Sequence, residues 1–284
     1  VALHCGLKVA LVLKPAPVDH GIRFLRTDIP GCPSIRANYG NVVNTCQATT
    51  IGSAGMAVST IEHLMAALYG CRVDNLLVEL SGPEAPIFDG SAAPYVKLIQ
   101  KASIVEQDAV RNYLTIQKPL TVSKGDSFIM ATPCDEFQVR YEIDYPHPCV
   151  GKQQYSWSLK NGSFGREIAK ARTFGFLKDV RKLQKMGLIQ GGSLANSVVF
   201  DDHELLNVDG FRYADECVRH KILDFIGDLS LTGLPVLGSF AIRKAGHALH
   251  SRFLTELMDG KGYATSKPLD FESAYLSPEV SALA

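Results

Sequence analysis

VRHKILDFIGDLSLTG, residues 218–233, followed by LGSFAIRKAG at residues 237–246, reads as a helix, a glycine stop and a strand. An earlier stretch has the same form: TIEHLMAALYG at residues 60–70, then NLLVELSG at residues 75–82. Gly70 and Gly233 stand where a helix C-terminal glycine belongs, and the runs after them carry strand-forming apolar residues. The echo predicts an α+β chain of two similar domains, each laying helices on a mostly antiparallel sheet, with the helices sandwiched between the two sheets. The polar stretch Gln107–Asn112 marks the boundary, giving an N-terminal domain over 1–107 and a C-terminal domain over 112–257. Residues 177–210 interrupt the second repeat with a basic segment, the pair Gly191 and Gly192, and a strand at SVVF. They read as an inserted subdomain, being too apolar for a linker.

Within residues 219–228, RHKILDFIGD, the polar residues His220, Asp224 and Asp228 recur at every fourth position and so share one helical face. Apolar residues occupy the other directions, so the stripe needs partners. An imidazole and a carboxylate at i and i+4 can ligate zinc from one side; the same spacing also suits an ordinary helical ion pair.

Composition narrows the classes. The chain has 284 residues, a formal net charge of +0, 46% hydrophobic and 20% charged residues. These values describe a globular protein with no electrostatic footprint for nucleic acid or an anionic membrane, and no apolar run reaches the length of a membrane span. Seven cysteines, odd in number and without a CxxC pair, predict reduced thiols in an intracellular compartment and leave any metal to histidine and carboxylate. The chain opens at Val1 on a strand-like run, which predicts that an N-terminal segment, and a targeting peptide with it, has been trimmed.

The first helix offers a second chemical candidate, Glu62 beside His63. Ser59 with Glu62 three residues later also reads as a capping box, which would explain the glutamate without catalysis. His63 opens a helix whose counterpart in the other half carries His220. If the halves pack as equivalents, His63, His220 and Asp224 form a three-ligand set that leaves the fourth zinc position for water.

The ordered motifs resemble the zinc-dependent UDP-3-O-acyl-N-acetylglucosamine deacetylases of lipid A biosynthesis. They are LHCG at 3–6, TIEHLMAAL at 60–68, DNLLVELSGPEAPIFDGSA at 74–92, ARTFGF at 171–176, GLIQGGSLANSVV at 187–199, FRYADECVRHKILDFIGDL at 211–229 and KAGHALH at 244–250. The resemblance implies an active site between the two domains, with one Zn2+ on His63, His220 and Asp224. It implies Glu62 as general base, His247 as general acid, Asp228 as the acid that orients and charges His247, and Lys221 and Thr173 as contacts to substrate and developing oxyanion. The reaction implied is hydrolysis of the N-acetyl amide of UDP-3-O-(3-hydroxyacyl)-N-acetylglucosamine, with release of acetate, the committed step of lipid A biosynthesis. The other readings are a zinc amidohydrolase of the same fold acting on a different N-acylated sugar, and a non-catalytic metal-binding scaffold.

The resemblance implies that the insert forms an apolar passage for the fatty acyl chain from Leu177, Val180, Ile189, Ser193, Leu194 and Val199, and that Phe174, beside Thr173 in the same motif, is a substrate contact; the passage residues also suit the core of a small subdomain. The resemblance further implies a monomer, cytoplasmic in bacteria, with a plant organelle as the alternative address. DGS at 89–91 reads as a turn and helix cap without chemistry. His4, where the family pattern around the first strand is departed from, is a candidate second-layer or substrate contact. The tail over 258–284 matches no part of the family and reads as disordered or specific to the source.

Overall fold

A computed structural model describes residues 1–268, with residues 54, 161 and 261 set aside. The first half contains β1 (Leu11–Pro15), β2 (Ile22–Arg26), β3 (Ser34–Arg36), β4 (Val42–Asn44), β5 (Thr50–Ser53), β6 (Met56–Val58), α1 (Glu62–Gly70), β7 (Leu76–Leu80) and α2 (Ala93–Ala102). The second contains β8 (Asn112–Ile116), β9 (Leu120–Lys124), β10 (Ser127–Thr132), β11 (Phe137–Tyr145), β12 (Gly151–Ser158), β13 (Phe174–Phe176), α3 (Leu177–Lys185), β14 (Val198–Phe200), α4 (Glu216–Leu229), β15 (Val236–Arg243), α5 (His247–Asp259) and β16 (Ala264–Pro268).

The sequence echo is an echo of topology. In the first sheet the strand order is β1-β7-β2-β3, and β7, which follows α1, pairs antiparallel with β1 and parallel with β2. In the second sheet β15, which follows α4, pairs antiparallel with β10 and parallel with β11, which in turn pairs with β12. Strand alternation sets the buried faces: Phe137, Val139, Tyr141 and Ile143 of β11 point into the core while Gln138 and Arg140 face out. The chain is thus mixed α and β, as the two repeats require, with smaller sheets β4-β5-β6 and β13-β14 beside the main ones.

Helix α1 is buried from Glu62 through Leu68, and α4 is buried over all but Arg219 and Lys221. The two helices cross against each other, and α4 also lies on β11 and β12. At the crossing sits Gly227, where a Cβ would overlap the carbonyl of Glu62. Glycine inside a helix costs about 1 kcal/mol relative to alanine, so close approach is the reason for it.

Several local expectations change. Ser59 does not cap α1: the helix starts at Glu62 with Ile61 at the cap position and no side-chain cap bond, and the Ser59 hydroxyl instead accepts from Thr50 Oγ1 at 2.9 Å. The chain enters the helix through Thr60 at φ +56°, a left-handed conformation that breaks the register a capping box needs. Gly70 is the last helical residue rather than a left-handed cap, and its missing side chain makes room for the Phe164 ring. Gly233 is left-handed at φ +77°, as a C-terminal glycine should be. Asp89–Ser91 forms the expected turn, Asp89 Oδ1 accepting from the Ser91 amide and hydroxyl, and Ser91 Oγ in turn accepts from the amide of Ala93, the first residue of α2, at 3.2 Å. The strand expected at SVVF is β14, which pairs in parallel with β13. The presumed tail is ordered at its start, because β16 covers the edge of β8 in antiparallel register; residues 269–284 lie outside the described residues.

Gly227→Ala should lower the urea midpoint: overpacking at the crossing costs about 3 kcal/mol, against about 1 kcal/mol regained in helix propensity. An unchanged or raised midpoint would show that the helices are free to separate.

Candidate active site

The α1–α4 crossing brings His63 from one half of the chain to His220 and Asp224 from the other. His220 Nε2 lies 3.2 Å and His63 Nε2 3.8 Å from Asp224 Oδ1. The two rings meet edge to face with centroids 5.0 Å apart. One ligand atom from each of the three residues falls within a 4.8 Å group, and all three residues are buried. The donor chemistry fits a divalent metal such as zinc. His220 Nδ1 donates to the Ala171 carbonyl at 3.0 Å, which leaves the Nε2 lone pair pointing at the site. Burial, and then the neighbouring His220, push His63 down to about 3, so its imidazole is neutral, the form a metal would need. Burial favours a protonated Asp224, but Lys221 and His220 outweigh it and hold the carboxyl well below the usual range.

Lys221 is less free than the sequence suggested. Its ammonium donates to Asp224 Oδ2 at 2.7 Å, although the side chain also lines the cleft. Burial works to lower its pKa, and the Asp224 charge more than offsets that.

Beside the donor set stand two groups of opposite character. Burial raises Glu62 to about 8, with Asp228 and Asp224 adding to the effect and His247 opposing it; its Oε2 accepts from the Thr49 amide at 3.1 Å. His247 heads α5 and its Nδ1 donates to Asp228 Oδ2 at 2.7 Å. Burial alone would lower this histidine, but the Asp228 carboxylate raises it to about 9, so it is cationic near neutrality. Asp228 accepts from two further residues that the sequence did not single out: Thr49 Oγ1 at 2.5 Å on Oδ1, and His250 Nδ1 at 2.7 Å on Oδ2. Against burial, His247 and His250 together hold Asp228 below the ordinary carboxylate range.

A cleft of about 750 Å³ joins these groups to the insert. Glu62, His63, Thr173, Phe174, His220, Lys221, Asp224 and His247 all line it, as do Val180 and Ile189. Leu177, Ser193, Leu194 and Val199 do not line it. At 100° per residue Leu177 lies about 120° around α3 from the cleft-lining Leu183. Ser193 and Leu194 belong to a turn on the solvent side, closed by the Asn196 side chain and by Ser197. Val199 is buried within β14, its amide held by Asn207. Phe176, Leu183 and Met186 supply the apolar wall in their place, with Leu3 from the first half. Their signal was present in the spacing Val180, Leu183, Met186 on one side of a short basic helix.

Two buried carboxylates outside the cleft fix its walls. Glu216 takes the Arg172 amide at 2.9 Å, Arg172 Nε at 2.8 Å and the Arg212 amide at 2.7 Å, tying the start of α4 to the segment that carries Ala171 and Thr173. Glu84 accepts from the amides of His4 and Cys5, each at 2.8 Å, and from Thr60 Oγ1 at 2.9 Å, which holds the left-handed entry to α1. His4 is buried, both ring nitrogens are without a hydrogen-bond partner among the described residues, and burial lowers its pKa.

Paired sheets carrying a buried His2Asp donor set, with an adjacent carboxylate and a cationic imidazole over an open cleft, define a hydrolase of the metal-site class. The family model for UDP-3-O-acyl N-acetylglycosamine deacetylase matches residues 1–259. The chain is 50% identical over 258 residues to the UDP-3-O-acyl-N-acetylglucosamine deacetylase of Myxococcus xanthus, covering 91% of this chain and 82% of that protein. It is 44% identical over 276 residues to the enzyme of the same name from Syntrophus aciditrophicus, covering 97% and 88%. The chain belongs to the UDP-3-O-acyl N-acetylglycosamine deacetylase family.

Glu216→Leu should destabilise the fold by about 3–5 kcal/mol, because Arg172 is left as a buried charge without its partner. The measurement is equilibrium urea unfolding; a loss under about 1 kcal/mol would mean that Asp209 and Gly210 suffice to hold the arginine.

Proposed function

We propose that the chain is a zinc-dependent deacetylase of UDP-3-O-(3-hydroxyacyl)-N-acetylglucosamine, releasing acetate and a free 2-amino sugar in the committed step of lipid A biosynthesis. Family membership supports the reaction class, and one observation carries the mechanism: Glu62, poised by burial, and His247, charged by Asp228, face the same cleft as the three-donor set. In this reading zinc, held by His63, His220 and Asp224, supplies Lewis-acid activation of water and of the amide carbonyl.

The chain's own groups do the proton work. Glu62 takes a proton from the water as it attacks the acetamide carbon, and its buried position keeps its basicity matched to that task. The Thr173 hydroxyl, on the cleft wall, stabilises the developing oxyanion. His247, held by its Nδ1 bond to Asp228, presents Nε2 and hands its proton to the leaving nitrogen, since an unprotonated amine anion is a very poor leaving group. The apolar wall of Phe176, Val180, Leu183, Met186 and Ile189 receives the acyl chain, and Lys124, Lys182 and Lys244 at the cleft suit a diphosphate. The two repeats are read as two domains with this site between them. No helix among the described residues is long and apolar enough to cross a membrane; the cytoplasm is the proposed address.

Acetate release from the acylated UDP-sugar, measured alongside zinc content, tests the reading. Wild type and Glu62→Ala should both hold near-stoichiometric zinc, with activity in wild type alone; an active zinc-free enzyme would sink the proposal. The pH profile follows from the two groups. Activity needs Glu62 ionised and His247 protonated, so kcat/KM rises as Glu62 loses its proton and falls as His247 loses its own. A bound dication favours deprotonation of both, which places the limbs below about 8 and about 9. The residual activity of His247→Gln should show no alkaline limb.

A further inference from the structure

We infer that Thr49 is a positioning residue for catalysis, one that joins the base and the acid of the site across the two halves of the chain. This inference rests on the reading of Glu62 and His247 given above. Thr49 immediately precedes β5 and is buried. Its amide donates to Glu62 Oε2 at 3.1 Å, and its hydroxyl donates to Asp228 Oδ1 at 2.5 Å. The same hydroxyl oxygen lies 3.3 Å from His247 Nδ1. Among the described residues it alone has hydrogen bonds to both Glu62 and Asp228.

The reason for such a residue lies in the shape of the Asp228 carboxylate. Oδ2 receives two imidazoles, His247 and His250, which approach from adjacent turns of α5. With donors only on that oxygen the carboxylate would be free to turn about its own axis and offer either oxygen to His247. The Thr49 hydroxyl occupies Oδ1 and thereby fixes the plane. A fixed plane aims the His247 Nδ1–H bond, and with it the direction in which Nε2 delivers its proton. His250 anchors the same carboxylate from within the second half, whereas Thr49 reaches it from the first. Its backbone bond to Glu62 means that any shift of β5 would move base and acid together, preserving their separation.

Thr49→Val keeps the volume and the amide but removes the hydroxyl, and Thr49→Ala does so without placing a methyl group against Asp228. Either should lower kcat for acetate release about 10-fold to 100-fold with KM and bound zinc unchanged, as expected when a general acid is misaimed and substrate binding is untouched. Thr49→Ser should restore most of the loss. On a His247→Gln background the valine and alanine variants should cost nothing further, because a residue that acts through His247 has nothing left to position. Wild-type kcat in both Thr49→Val and Thr49→Ala overturns the inference, as does failure of Thr49→Ser to restore activity. An equal fold-loss on the His247→Gln background also overturns it. Should His247→Gln itself prove as active as wild type, it is the assignment of the acid that fails, an outcome separate from all of these.

Discussion

The site depends on one backbone approach, that of the Gly227 segment of α4 to the carbonyl of Glu62 on α1. Neither half holds a complete donor set: His63 and Glu62 come from α1, His220, Asp224 and Asp228 from α4, and His247 from the head of α5. A side chain at the crossing would force the helices apart by the width of a methyl group. Donor atoms that now stand 3.2–3.8 Å apart would then lose their common focus. The cost of a glycine inside a helix is small beside that, which is why a glycine stands at this crossing, one residue before Asp228.

Around this crossing the protein uses buried carboxylates as anchors for backbone. Glu216 holds the Arg172 and Arg212 amides and the Arg172 guanidinium, and through them the Ala171 carbonyl that orients His220. Glu84 holds the amides of His4 and Cys5 and the strained Thr60. In each case a charge removed from water is compensated by several donors, and the backbone so fixed leads directly into a residue of the site. Rigidity at the cleft therefore comes from groups one layer behind it.

What could be read from the sequence follows the reach of local periodicity. The stripe His220, Asp224, Asp228 was visible because helical spacing alone puts the three on one face, and the repeat of helix, glycine and strand has its counterpart in two sheets that each place the strand after the helix between one antiparallel and one parallel neighbour. Thr49 and His250 were not visible. Thr49 meets Asp228 across 179 positions of sequence, and His250 reaches the same Asp228 oxygen as His247 only because α5 places both rings there. The capping box at Ser59 and Glu62 misled because its spacing is correct while the positive φ of Thr60 takes Ser59 out of helical register. Of the proposed acyl-passage residues, Val180 and Ile189 face the cleft, but motif position could not show which side of α3 Leu177 takes or that residues 193–197 close into a turn.

In the proposed mechanism the division of labour between acid and base comes down to how two buried carboxylates are supplied with donors. Asp228 receives a hydroxyl and two imidazole N–H groups, enough to keep it ionised despite burial, and a fixed anion beside His247 makes that imidazole a cation. Glu62, equally buried, accepts from the Thr49 amide and from no other residue's side chain among the described residues, and burial raises it to about 8. Were the donors shared evenly, both carboxylates would stay ionised and neither would take up a proton near neutrality. The uneven supply separates a permanent anion, which holds a proton on its neighbour, from a carboxylate able to accept one, and that separation is what a reaction needing both a base and an acid in one small cleft requires.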